Sequence, residues 1–151
     1  MANGRRHGGG RGGGGRGQDR RPRSDEERRQ GFVKDFGDGY AHLIANPEKP
    51  DSNAFIDSVK KYVKRIQREI TTSQLRNVFS RVKYTRRYQD LYLLRPKLAY
   101  VAGRADREGT KELMLLLDDV IRVVDSDDKL KEFQNFFEAI IAYHKYFGGK
   151  D

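Results

Sequence analysis

Between residues 52 and 70 the apolar positions fall at Phe55, Ile56, Val59, Tyr62, Val63, Ile66 and Ile70. Steps of three and four residues match the turn of an α-helix, and at about 100° per residue these side chains share one face. The period returns at Leu75, Val78, Phe79 and Val82, and again in KELMLLLDDVIRVV, residues 111–124. A last stripe runs through Leu130, Phe133, Phe136, Phe137, Ile140, Ile141 and Phe147. DLYLLRPKLAYVAGR, residues 90–104, reads as one further short helix, with Pro96 either in its first turn or at a kink. No stretch alternates with the period of a strand, and no internal repeat is visible. The pattern predicts an all-α fold: a single compact bundle of about five helices.

Boundary residues support these elements. Thr71 is a good N-cap with Gln74 at its N3 position, and Ile70 and Leu75 suit a hydrophobic staple, which makes a tight corner between two helices. Asp51 or Ser52 caps the helix that follows Pro47 and Pro50. Ser126 caps the last helix, where Asp127 and Asp128 meet the positive end of the macrodipole, and Gly148 suits its end. Near the start, SDEE from Ser24 reads as a capping box opening a short helix. Gly31, Gly37 and Gly39 interrupt any period there, so residues 31–50 are expected to be mostly irregular. Residues 1–31 hold 10 of the 16 glycines and nine arginines, too little apolar surface to offset the entropy of ordering. The expected organisation is a disordered Arg/Gly-rich tail over 1–31 and a helical domain over 32–151.

Charge changes the picture. The formal net charge is +9, but residues 60–104 alone carry +11, residues 1–31 carry +5, and residues 105–151 carry −4. Lys60, Lys61, Lys64, Arg65 and Arg68 fall on the polar side of the 52–70 helix, with no acid among them until Glu69. A solvated face ordinarily mixes signs, because opposite charges at i,i+4 stabilise a helix and like charges oppose it. TTSQLRNVFSRVKYTRRY, residues 71–88, adds five basic residues and no acid. Within it Arg76, Lys83 and Arg87 project in nearly one direction, provided the helix neither bends nor ends near Tyr84. Such a stripe suits a polyanion, nucleic acid before membrane. The candidate RNA-binding residues are Lys60, Lys61, Lys64, Arg65, Arg68, Arg76, Lys83 and Arg87. The Arg/Gly tail suits RNA as well, through phosphate contacts and guanidinium stacking.

Candidate catalytic chemistry is sparse. The chain has no cysteine, so disulfides and thiolate metal sites are excluded. His7, His42 and His144 form no ligand motif, and His144 sits among aromatics, as packed or interface histidines do. The acids of DSDD are explained by helix capping and lack the glycine and distal glutamate of a calcium loop. Asp118 and Asp119, adjacent on a helix, point in different directions. No catalytic residue, metal or cofactor is assigned, and the chain is expected not to be an enzyme. The apolar run Leu113–Leu117 is far too short for a bilayer, and the basic N-terminus leads into no signal-like stretch. A soluble, cytoplasmic protein without a membrane partner is expected. Besides an RNA-binding scaffold, two readings stay open: a purely structural adaptor whose basic face docks acidic proteins, and a general RNA binder acting through its tail. A small nuclease is the third, minority reading.

ITTSQLRNVF (Ile70–Phe79), LRPKLAYVAGR (Leu94–Arg104) and FQNFFEAIIAYHKYFGGKD (Phe133–Asp151) together resemble the small subunit of type III-A CRISPR effector complexes, the Csm small subunit. The resemblance covers about residues 50–151 and leaves out the Arg/Gly tail. It implies a helical, non-catalytic subunit that self-associates as a filament-like stack beside the other subunits of the ribonucleoprotein. It further implies contact with the CRISPR guide RNA and target RNA through their backbones, since base pairing itself supplies specificity. Arg76, which ends ITTSQLR, is the site residue that the resemblance carries; the other seven come from the helical wheel. In a head-to-tail stack the acidic C-terminal third would supply a complementary end, with Tyr143, His144 and Tyr146 as exposed candidates for contact between copies.

Overall fold

Helix α7 (Glu108–Val123) is the most enclosed element of the chain, and the others are arranged around it and α8 (Asp127–Tyr146). The structure, a computed structural model, describes residues 21–150. The expected disorder of residues 1–20 lies outside the described residues. The remaining elements are α1 (Asp25–Phe36), α2 (Tyr40–Ala45), α3 (Ser52–Ile66), α4 (Thr72–Lys83), α5 (Tyr88–Leu91), a 3-10 turn (Tyr92–Leu94) and α6 (Arg95–Arg104). No strand occurs among the described residues, so the fold is all-α as expected.

Leu113, Met114, Leu116, Leu117, Val120 and Ile121 are all buried on α7, more of its circumference than one apolar stripe fills. The reason is its neighbours: α6, α2 and α1 all pack against it. Helix α8 packs against α3, α4 and α2, so α2 touches both central helices. Phe36, Phe55 and Phe136 meet with ring centroids 6.1–6.4 Å apart, and Tyr62 lies 5.6 Å from Phe36. This aromatic cluster ties α1, α3 and α8 together. Each such ring contributes about 1.5–3 kcal/mol by its burial.

Eight α-helices form among the described residues, where the sequence predicted about five. The difference lies in α1, whose 12 residues are mostly polar, and in α2 and α5, which at six and four residues are too short to show a period. Residues 31–50, expected to be mostly irregular, instead hold the end of α1 and all of α2, joined by a turn in which Gly37 and Gly39 have φ of 98° and 71°. The glycines do break the pattern, but as a sharp corner. Helix α1 opens on the capping box read from SDEE: Ser24 accepts from the Glu27 amide, and Glu27 reaches back to the Ser24 amide. It therefore includes residues 25–31, which were assigned to the tail. Tertiary contacts hold it there. Arg28 bonds Glu108 at 2.7 and 3.2 Å, Arg29 bonds Asp119 twice at 3.0 Å, and Phe32 and Phe36 are buried. DLYLLRPKLAYVAGR spans three elements, α5, the 3-10 turn and α6, with Pro96 in the first turn of α6, where its missing N–H is not needed.

Helix α3 stops at Ile66, short of the expected residue 70. Tertiary partners draw the chain out of the helix: the Thr110 hydroxyl donates to the Glu69 carbonyl at 2.7 Å, and His144 Nε2 donates to the Ile70 carbonyl at 2.7 Å. Ile70 remains buried in the resulting corner. Ile56, placed in the core by the helical wheel, is 38% exposed because it lies at the edge of the apolar face.

Candidate nucleic-acid interface

The basic face of α3 begins with its cap. Asp51 accepts from the Ala54 amide at 3.0 Å, which fixes the helix start and hence the direction of each later side chain. Phe55, Val59, Tyr62, Val63 and Ile66 are buried, so Lys60, Lys61, Lys64 and Arg65 fan across the exposed arc. At 100° per residue Lys60 and Arg65 occupy opposite edges of that arc, with Lys61 and Lys64 between them.

The two edges meet different neighbours. On one, Lys60 Nζ sits 5.3 Å from the ring centroid of Tyr146, near the end of α8. On the other, Arg65 reaches inward, bonding Glu112 of α7 at 2.5 and 3.4 Å and Asp35 of α1 at 2.9 Å. The hydrogen bond to Glu112 is the main cause of its raised pKa, against the opposing effect of burial. Arg65 was expected on a face free of acids. Along the helix Asp57 shares the arc with the lysines, and across it two carboxylates already balance the charge of Arg65, which anchors α3 to α1 and α7. Beneath it Tyr62 is fully enclosed, and burial, with Glu112 nearby, pushes its phenol well above the ordinary value.

Lys61 and Lys64 are exposed and have no ion-pair partner among the described residues. They line a groove with Asp57, Lys60, Tyr146 and Phe147. Phe147 also borders a second groove, formed by Gln67, Arg68, Ile70, Thr71, Gly148 and Lys150. Four of the eight predicted residues, Lys60, Lys61, Lys64 and Arg68, are thus gathered about the C-terminal aromatics. Lys150 joins them unpredicted.

This arrangement depends on a clasp at the corner before α4. Thr71 and Gln74 form the capping box expected, with bonds of 2.8 and 3.0 Å. The Thr72 amide, one of the orphan donors of the first turn, bonds the Lys150 carbonyl at 2.9 Å, and the Gly149 amide bonds the His144 carbonyl at 2.8 Å. His144, expected to be exposed for contact between copies, is instead buried, with Nε2 on Ile70 and the Thr72 hydroxyl 3.5 Å from Nδ1. Tyr143 is half-buried and Tyr146 is exposed.

The other predicted residues lie apart. Arg76 is exposed on α4 without an ion-pair partner among the described residues. Lys83 ends that helix, 5.9 Å from the Tyr84 ring centroid. Helix α4 stops there, so Arg87 leaves the stripe: it occupies the N-cap of α5, 3.9 Å from Asp90, with both partners exposed. Arg76, Lys83 and Arg87 line neither groove. Helices α3 and α4 pack on α8 more than on each other.

Elsewhere several acids are taken up internally. Glu108, Glu112, Asp118, Asp119, Asp125 and Glu132 of the C-terminal third pair with Arg28, Arg65, Arg95, Arg29, Lys129 and Lys49. Six acids of this third are therefore paired, while Asp106, Asp127, Asp128 and Glu138 make no ion pair among the described residues. The lysines around Tyr146 keep an unbalanced charge. Sequence reasoning missed Lys150 and Phe147 as their neighbours; the aromatic run before GGK was the available signal.

With this geometry in place, comparison with known proteins bears on the resemblance. The family description Csm2 Type III-A matches residues 49–150. The chain belongs to the Csm2 type III-A family. It is 24% identical over 115 residues, covering 64% of this chain and 93% of the relative, to the CRISPR system Cms protein Csm2 of Streptococcus thermophilus. No solved structure matches it. The family match spans α3 to α8, including the groove-lining residues and the C-terminal clasp, and bears out the small-subunit resemblance. Helices α1 and α2 precede it. Among the described residues no helix is long and apolar enough to cross a membrane.

Proposed function

We propose that the chain is a non-catalytic, RNA-binding scaffold subunit of a type III-A CRISPR ribonucleoprotein serving antiviral defence. In this reading several copies stack along the complex beside its other subunits, and each contacts the backbone of the guide RNA–target RNA duplex. The supporting observation is the imbalance of charge: Lys60, Lys61, Lys64, Arg68 and Arg76 stay exposed and without an ion pair among the described residues, while six acids of the C-terminal third are paired with other cations. Unbalanced like charges on one helix raise its energy until an anion neutralises them, and a phosphate backbone does so without reading sequence. His144, the histidine nearest to a catalytic role on sequence grounds, is buried with its Nε2 committed to a backbone carbonyl, which favours a non-catalytic part.

The test is fluorescence anisotropy with RNA across a salt series, comparing the wild-type chain with Lys64→Glu plus Arg76→Glu. Each phosphate contact contributes a log–log slope of about −0.7 on a single strand. The double variant is expected to bind weakly and with a slope flatter by about two such contacts. A wild-type slope near zero, or equal slopes for both proteins, would refute the reading. Loss of assembly with the other subunits at unchanged RNA affinity would favour the protein-adaptor alternative.

A further inference from the structure

Tyr146 buries little of its surface in the fold. Its side chain is at the end of α8 and the residue is 70% exposed, although it is one of the largest apolar groups of the chain. It is nevertheless held in place. Tyr143 and Phe147 meet it edge-on, at 6.4 Å and 90° and at 5.2 Å and 76°, so neither stacks flat upon it. Lys60 Nζ lies over the ring, and Lys61 and Lys64 line the same groove. Asp57 is the single acid of that lining and makes no ion pair with the three lysines.

We infer that Tyr146, framed by Lys60, Lys61 and Lys64, is a stacking platform for an unpaired RNA base whose flanking phosphates sit on the lysines. The inference rests on the RNA-binding reading above and narrows it. A fixed, exposed aromatic ring beside several ammonium groups is the combination by which proteins hold single strands: the ring takes the base face and the cations track the backbone. Duplex bases are stacked on one another and offer no face to the ring, so the platform selects nucleotides outside the paired helix. A protein partner fits less well. Protein interfaces favour aromatics and arginine but are depleted in lysine, and this aromatic is ringed by three lysines. Lys60 covers one face of the ring by cation–π contact and the base takes the other.

The experiment uses the full chain and its Tyr146→Ala and Tyr146→Phe variants, titrated with a single-stranded oligoribonucleotide and with a blunt RNA duplex of the same sequence. Tyr146→Ala is expected to weaken single-strand binding at least about fivefold, the lower end of the loss of one aromatic–base stack. Duplex binding and the salt slope should stay unchanged, because no phosphate contact is removed. Tyr146→Phe keeps the π face and should bind as wild type. Photo-crosslinking with 4-thiouridine RNA, mapped by mass spectrometry, should place the crosslink on the Tyr146 peptide even where the tail contributes affinity. Equal loss on both RNAs, or no crosslink at that peptide, overturns the inference while leaving the scaffold reading intact. If Tyr146→Ala instead alters association between copies and leaves RNA binding untouched, the ring is a protein contact and the inference fails. Absence of RNA binding by every form of the protein defeats the parent reading as well.

Discussion

Replacing Gly149 by alanine tests whether the C-terminal clasp holds the basic groove together. A Cβ at this position would run into the His144 ring at Cε1 and Nδ1 and come within 2.7 Å of the His144 carbonyl oxygen. Two responses are open to the molecule. The ring could move, which breaks the His144–Ile70 bond inside a buried site and leaves a carbonyl without its partner, about 1–3 kcal/mol on top of about 1–3 kcal/mol of overpacking. Alternatively, residues 148–150 could lift away. That sacrifices the Gly149–His144 and Thr72–Lys150 backbone bonds, about 1 kcal/mol each, and is offset in part by the freedom the chain end regains. The second route is the less costly, so the bundle should survive with a loss of at most about 2 kcal/mol. The assay is amide hydrogen exchange together with urea unfolding. The Thr72 amide should lose protection by roughly tenfold or more while amides of α7 keep theirs. Unchanged protection at Thr72 alongside unchanged stability would refute the account of the clasp. Because Phe147 and Lys150 line the groove beside Arg68, the same variant should also weaken RNA binding.

Three further predictions follow from the ion pairs and caps. Arg65→Ala should destabilise the fold by about 1–3 kcal/mol, since it strips the buried Glu112 of its hydrogen bonds, whereas Lys64→Ala should leave stability within about 0.5 kcal/mol and lower RNA affinity more; urea midpoints and anisotropy on the same pair of variants separate the two roles. Tyr40→Phe removes the 2.6 Å bond to Asp119 but leaves both bonds from Arg29. It should cost about 1 kcal/mol in thermal or urea unfolding, and Arg29→Ala should cost more, because the buried carboxylate then loses its counter-charge. The Glu27 carboxyl is held below its ordinary value of 4.5 mainly by the Ser24 amide. A lowered folded pKa contributes stability above the unfolded value and loses it as pH falls through the folded one. The first turn of α1 should therefore fray on acidification below 4.5, visible as a drift of the Glu27 and Arg28 amide resonances toward coil values, and pH-independent shifts there would contradict it.

Family membership and the main helices were legible because both rest on local patterns. A period of 3.6 residues across 52–70, 111–124 and 130–147, with caps at Thr71 and Ser126, needs no knowledge of neighbours. The capping box at Ser24 was legible too. What it opened was not, because α1 carries only two buried aromatics, Phe32 and Phe36, and is otherwise tied down by Arg28 and Arg29 to acids some 80 to 90 residues away.

The candidate site divides along the same line. The sequence by itself determined that an acid-poor set of cations occupies the polar face of α3, since helical geometry alone separates them from Phe55, Val59 and Ile66. Only the tertiary structure decided which of them remain available. Arg65 lies at the edge that meets α1 and α7, so Glu112 and Asp35 neutralise it; Lys60 lies at the edge that meets α8, beside Tyr146; Lys61 and Lys64 lie between and stay unpaired. Charge is a property of residues, but its availability depends on what packs within a few ångströms, and α1, α7 and α8 come from distant parts of the chain.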